Sequence, residues 1–139
     1  MKINLFVIVG LIAAAGTAFA AANPARDAIL AALGEQAKQA DPTFAGFSAD
    51  RGGAFWTGDH AGGKGEATSC TACHTKDPTA MGTTKAGKAI DPMAVSKTPA
   101  RFTDAKKVAK WFLRNCNTVL GRECTSLEKG DIITYLSSK

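Results

Sequence analysis

The chain has 139 residues, of which 17 are Lys or Arg, 12 are Asp or Glu, four are Cys and two are His. That length holds one small domain and excludes a multi-domain enzyme. A core of this size is modest, so a cofactor filling the interior would supply much of the apolar contact.

The first segment is a leader. Lys2 precedes an apolar run from Leu5 to Ala15, and Ala18-Phe19-Ala20 closes it with small residues in cleavage-site order. A retained membrane anchor fails on length, and Asn23-Pro24 with Arg26 follow at once. Residues 1–20 are therefore expected to be a signal peptide cleaved after Ala20, or after Ala22, leaving residues 21–139 as a single exported domain. The implied compartment is an oxidising periplasm, where disulfides persist and nucleic acid is not a partner.

Asn23-Pro24 reads as an N-cap followed by proline at the first helical position, opening a helix to about Ala40 with Ile29, Leu30, Leu33 and Ala37 on one side. Ser48 starts a shorter helix to about Trp56. Gly52 and Trp56, four residues apart, share a face on which glycine lets another helix cross closely. A glycine-rich loop, 58–65, leads to Cys70-Thr71-Ala72-Cys73-His74.

This C-x-x-C-H motif is the attachment pattern of a c-type haem: two thiols add to the porphyrin vinyl groups, and the adjacent histidine binds the iron from the proximal side. Chance would produce it with a frequency of roughly 0.002 at this composition. A zinc site would need further ligands nearby, whereas the other cysteines stand at Cys116 and Cys124. A thioredoxin-like site would need strand alternation, which is absent around it. Cys70 and Cys73 are thus the expected covalent haem attachments and His74 the proximal ligand.

Residues 75–101 read as a long loop wrapping the haem edge with one short helical turn. Thr103 is expected to cap a helix from 104 to about 117. Thr125 with Glu128 forms a capping box for a last helix carrying Ile132, Ile133, Tyr135 and Leu136. The whole is all-α, with long loops packed on one covalent haem. Residues 81–122 hold nine Lys and Arg against Asp91 and Asp104, which makes a basic docking face for an acidic redox partner or an ordinary solvated surface.

Four side chains compete for the iron position opposite His74. Met81 and Met93 lie close after the histidine and read more simply as loop or core methionines. His60 reads as an exposed loop residue. Asn115 continues the stripe of Val108, Trp111 and Phe112, whereas Asn117 points to the opposite side. An inward amide needs a partner, either iron or a hydrogen bond at the helix end. Cys116 and Cys124, eight residues apart with Gly121 for the turn, suit a disulfide after export, with two free thiols as the alternative.

Arg101-Phe102-Thr103-Asp104, Lys110-Trp111, Arg114-Asn115-Cys116-Asn117 and Gly121-Arg122-Glu123-Cys124 together resemble the SHP-type oxygen-binding cytochromes c and the related cytochrome c″. The resemblance extends upstream through Ala86-Gly87-Lys88-Ala89-Ile90, the haem motif, and Arg51-Gly52 with Trp56. It departs at Met93, where relatives carry another apolar residue, and in the loop from Trp56 to Ser69 with His60.

The resemblance implies a class I cytochrome c core with an added N-terminal helix. It implies Asn115 as the distal ligand of ferric iron, since the residue before the first bracket cysteine is asparagine in the SHP type and histidine in cytochrome c″. It also implies a dihaem cytochrome c and a membrane cytochrome b as electron-transfer partners, with oxygen or another diatomic gas as ligand. A neutral carboxamide oxygen suits ferric better than ferrous iron, so reduction is expected to release it. Two other functions stay open: a conventional six-coordinate electron carrier using Met93 or His60, and a small reductase acting on oxygen or a nitrogen oxide.

Overall fold

Asn23 accepts hydrogen bonds from the backbone N–H of Ala25 and Arg26 at 3.1 and 3.3 Å, and Pro24 takes the first helical position of α1, Pro24–Ala40. The computed structural model describes residues 22–60, 62–63 and 67–139; the leader expected at 1–20 lies outside them. Leu33 and Ala37 turn inward from α1, and Ile29 and Leu30 pack at its edge. Arg26 is buried too, an unusual residue for a core. Its guanidinium donates to the carbonyls of Pro99 and Arg101, tying the added helix to the segment at 99–101.

α2, Ala49–Thr57, starts where Ser48 accepts from the Arg51 N–H at 3.2 Å. It crosses α5, Ser126–Ser137, at Gly52, where a Cβ would overlap the carbonyl of Asp131. Close backbone approach therefore requires glycine, as the sequence suggested. The crossing is locked by charge. Buried Asp131 accepts from Arg51 Nε at 2.7 Å, from Nη2 at 2.9 Å and from the Ser48 N–H at 2.7 Å. A carboxylate so removed from water is tolerable because each oxygen is bonded. α5 opens with the capping box of Thr125 and Glu128 and contributes Ile132, Ile133 and Leu136 to the core.

α4, Ala105–Leu120, differs from expectation at both ends. Asp104, not Thr103, is its N-cap, accepting from the Lys107 N–H at 3.0 Å, while the Thr103 hydroxyl donates to Ala100. The helix also runs beyond 117, until Gly121 ends it at φ 72°. The 75–101 region holds one short helical turn, where the Thr98 N–H donates to the Ala94 carbonyl at 3.0 Å. It also folds into a two-residue antiparallel hairpin, β1, Gly82–Thr83, paired with β2, Ala89–Ile90. Gly87 at φ 76° supplies the turn, and the Thr84 hydroxyl accepts from the Lys88 N–H.

The described residues make an all-α fold apart from this hairpin. α1 and α2 pack on α5, and α4 joins the same core through Phe112 and Cys116, against Leu33, Trp56, Cys124, Ile132, Ile133 and Leu136.

Candidate haem site

The C-x-x-C-H residues form a single helical turn, α3, Thr71–His74, with Cys70 as its N-cap. Cys70 and Cys73 are free thiols, both half-buried, and Cys70 packs against the core cluster. Burial pushes the Cys70 thiol up to about 11, which keeps it protonated at neutral pH.

His74 ends α3. Trp56 packs on it with ring centroids 5.5 Å apart, and the indole N–H donates to the Thr75 carbonyl at 3.2 Å. Thr75 leaves the helix at φ 64°, a conformation uncommon for a β-branched residue, turning the chain sharply after the histidine. The hairpin closes over the turn: a Cβ on Gly82 would overlap the Cys73 carbonyl.

Burial, and next the positive charge of Arg101, lower the His74 pKa, favouring the neutral imidazole that a metal needs. Its Nδ1 is buried without a hydrogen-bond partner. Two free thiols on one turn beside a neutral imidazole with an orphaned nitrogen fit a c-type haem. Cys70 and Cys73 would hold the porphyrin and His74 the iron.

The candidates for the second ligand separate clearly. Met81 is 57% exposed. Met93 is half-buried against the core cluster. His60 Nε2 lies 2.8 Å from the Phe55 carbonyl, and its ring packs 4.5 Å from that of Phe55, so it fastens the loop to α2.

Asn115 lies on the accessible surface of α4. The buried stripe of the helix is Phe112, Cys116 and Val119, with Val108 half-buried. Cys116 is joined by a disulfide to buried Cys124, with Cα atoms 5.6 Å apart. Asn115 and half-exposed Trp111 flank this stripe. Asn117 lies away from it, its amide donating back to the Leu113 carbonyl at 2.7 Å.

Two features escaped the sequence reading. The glycine-rich loop passes under the end of α4, where Cβ atoms on Gly62 and Gly63 would overlap the carbonyls of Leu120 and Thr118. Arg101, noted only as part of a motif, is half-buried beside the site, donating to the carbonyls of Asp91 at 2.6 Å and Pro92 at 3.2 Å.

Residues 42–136 match the family model described as a domain of unknown function, DUF1924. The chain is 48% identical over 91 residues to the cytochrome c-type protein SHP of Cereibacter sphaeroides, covering 66% of this chain and 70% of that protein. It is 35% identical over 101 residues to cytochrome c″ of Methylophilus methylotrophus, covering 72% and 70% respectively. A solved structure of oxidized SHP, described as an oxygen binding cytochrome c, superposes with a TM-score of 0.75 at 41% identity, covering 82% of this chain and 96% of that one. The thiol pair, the neutral histidine and these relatives agree: the chain belongs to the SHP and cytochrome c″ family of c-type haem proteins.

Proposed function

We propose that the chain is a periplasmic monohaem cytochrome that transfers electrons and binds oxygen or another diatomic gas when reduced, with Asn115 as the gate. The carrying observation is that Asn115 immediately precedes Cys116, whose disulfide packs in the core cluster that also receives Cys70 and Trp56. A disulfide in the fold also suits the exported setting read from the leader.

When bound, the haem would supply one-electron iron chemistry and, in the ferrous form, the capacity to take up a diatomic gas. His74 holds the proximal side, kept neutral by burial and oriented by Trp56. Asn115 offers a neutral, hard oxygen, strong enough for ferric iron and weak for ferrous. Where the iron does not hold its oxygen, the Asn115 amide N–H would be available to donate a hydrogen bond to a gas ligand. The disulfide keeps the end of α4 in place, so the side chain moves and the helix does not. SHP, described as oxygen binding, is the relative that supports this reading.

Electron exchange is proposed to run through the outer face of α4. Lys106, Lys107, Lys110 and Arg114 are all exposed there, on the side away from Phe112 and Cys116, and would attract an acidic patch on a partner cytochrome. The partners implied by the resemblance are a dihaem cytochrome c and a membrane cytochrome b.

Met93 supports a second reading, a permanently six-coordinate carrier, because it packs against the same cluster as Cys70. Optical spectra of the holoprotein separate the two. A low-spin ferric haem that turns high-spin on anaerobic reduction and binds carbon monoxide and oxygen supports gating. A low-spin ferrous spectrum indifferent to carbon monoxide sinks it.

A further inference from the structure

His74, Trp56 and Tyr135 form a continuous row of rings leading outward from the candidate iron ligand. The Trp56 ring centroid lies 5.5 Å from that of His74 and 6.4 Å from that of Tyr135, both tilted, which is the spacing of aromatic rings in direct contact. Trp56 is only 2% exposed, whereas Tyr135 on α5 is half-buried and reaches the surface. α2 makes room for that second ring. A Cβ on Gly53 would stand 3.0 Å from the Tyr135 ring, and one on Gly52 would meet the Tyr135 Cβ. Tyr135 is also the one tyrosine in the chain.

The two side chains beyond His74 are both oxidisable, but they differ in what becomes of the proton. The Trp56 N–H is held by the Thr75 carbonyl, an acceptor too weakly basic to take the proton away. The indole can therefore hand on an electron without ending as a lasting neutral radical. Tyr135, at the surface, can release its phenolic proton to water. Burial, and next the charge of Asp77, raise its pKa, so the phenol is neutral and sheds that proton only when oxidised. Lys139 sets its ammonium 5.0 Å from the ring centroid, which disfavours a radical that keeps its positive charge and favours one that has lost the proton.

We propose that Trp56 and Tyr135 form an electron relay that returns an electron to the haem site after attack by hydrogen peroxide and ends as a phenoxyl radical on Tyr135. Hydrogen peroxide, the two-electron reduction product of oxygen, takes up two electrons and two protons as its O–O bond breaks to give two waters. Ferrous iron going to ferric supplies one electron. Tyr135 supplies the other through Trp56, and its phenolic O–H bond breaks with the proton passing to water. Damage is thereby moved from the porphyrin to a surface side chain, which a soluble phenol restores by giving up an electron and a proton.

This inference rests on the open ferrous site proposed above. The test freeze-quenches the reduced holoprotein after mixing with hydrogen peroxide and records its electron paramagnetic resonance spectrum, with carbon monoxide binding measured on the same preparation. The parent is expected to give a tyrosyl signal. Trp56→Phe should lose it, because phenylalanine is far harder to oxidise. In Tyr135→Phe the oxidation stalls one ring earlier, so peptide mass spectrometry should find oxygen added to Trp56, and the haem absorbance should bleach faster than in the parent. Carbon monoxide binding without a tyrosyl signal in the parent, or an undiminished signal in Trp56→Phe, would overturn the relay. Should Trp56→Phe not accumulate, Tyr135→Phe decides alone: an unmodified Trp56, or oxidation at half-exposed Trp111 in its place, overturns the relay as well. A ferrous form that binds no carbon monoxide overturns the open site itself, and the relay with it.

Discussion

Trp56 packs its ring 5.5 Å from the His74 imidazole, and its indole N–H donates to the carbonyl of Thr75, the next residue. One buried side chain of α2 therefore fixes both the plane of the proximal histidine and the turn that follows it. Trp56→Phe keeps most of the ring and loses the hydrogen bond. We expect about 1 kcal/mol of lost stability from the bond, plus a smaller packing loss. Trp56→Ala empties the centre of the core and is expected to cost about 3–5 kcal/mol. Urea unfolding of the holoprotein followed by circular dichroism measures both, and a Trp56→Phe variant as stable as the parent would contradict the role given to the indole N–H.

The α2–α5 crossing makes a sharper prediction. Gly52→Ala places a methyl group on the Asp131 carbonyl, a backbone atom that cannot move aside without shifting α5. The Arg51–Asp131 pair depends on that same approach. Overpacking of this kind typically costs about 1–3 kcal/mol, and the strained ion pair takes the expectation to the top of that range. Gly46, where an added Cβ meets nothing within 4 Å, is the spatial contrast, although its φ of 122° makes substitution there a backbone test instead.

How much of this could be read in advance depends on the length scale of each signal. The haem motif and the Thr125–Glu128 capping box are local, and both were legible. So was the role of Gly52, because the spacing to Trp56 lies within one helix. The hairpin was invisible, since two residues per strand are too few for alternation to register. The α4 cap was misplaced by one residue because Thr103 and Asp104 are both good caps and only tertiary packing chooses. The Arg26–Arg101 link joins residues 75 apart and left no local pattern to find.

Glu128 gives the fold an acid-sensitive joint. Its carboxylate accepts from Arg122 Nη2 at 2.7 Å and from the Thr125 N–H at 2.7 Å, and these bonds hold its pKa below the ordinary glutamate value. A depressed carboxylate stabilises the fold above its unfolded pKa, and the contribution is lost as pH falls through the folded one. The carboxylate is half-buried but its Arg122 partner is exposed to solvent, so screening keeps the effect small. Glu128→Gln should therefore flatten the decline in melting temperature below the ordinary glutamate range while leaving neutral-pH stability slightly reduced. An unchanged acid slope would assign that decline to other carboxylates.

The Cys116–Cys124 bond closes a short loop of eight residues' separation. In the chain-entropy model such a loop contributes about 2.5 kcal/mol. Cys116→Ser with Cys124→Ser should lower stability by about that amount. It should also loosen the end of α4, which is otherwise held by buried Val119, by Leu120 against the core cluster and by the close approach of Gly62 and Gly63. Hydrogen exchange at residues 116–120 reads the second effect directly, and protection equal to the parent would mean that packing holds the helix without the disulfide.

Asn115 carries the strongest functional expectation, because three substitutions give three different spectra. Asn115→Ala removes the side chain proposed to meet the ferric iron opposite His74, so the ferric haem should become high-spin while the ferrous form changes little. Asn115→His supplies an imidazole, a ligand strong in both oxidation states. That variant should stay low-spin on reduction and lose carbon monoxide and oxygen binding. Asn115→Asp keeps the shape and replaces the neutral oxygen by an anion, which binds ferric iron more tightly and should lower the reduction potential. Lowered potential in Asn115→Asp without any change in Asn115→Ala would mean that position 115 acts through charge alone and that Met93 is the ligand. The order of the three, alanine open in both states, asparagine open in one and histidine in neither, follows only if the side chain at 115 meets the iron.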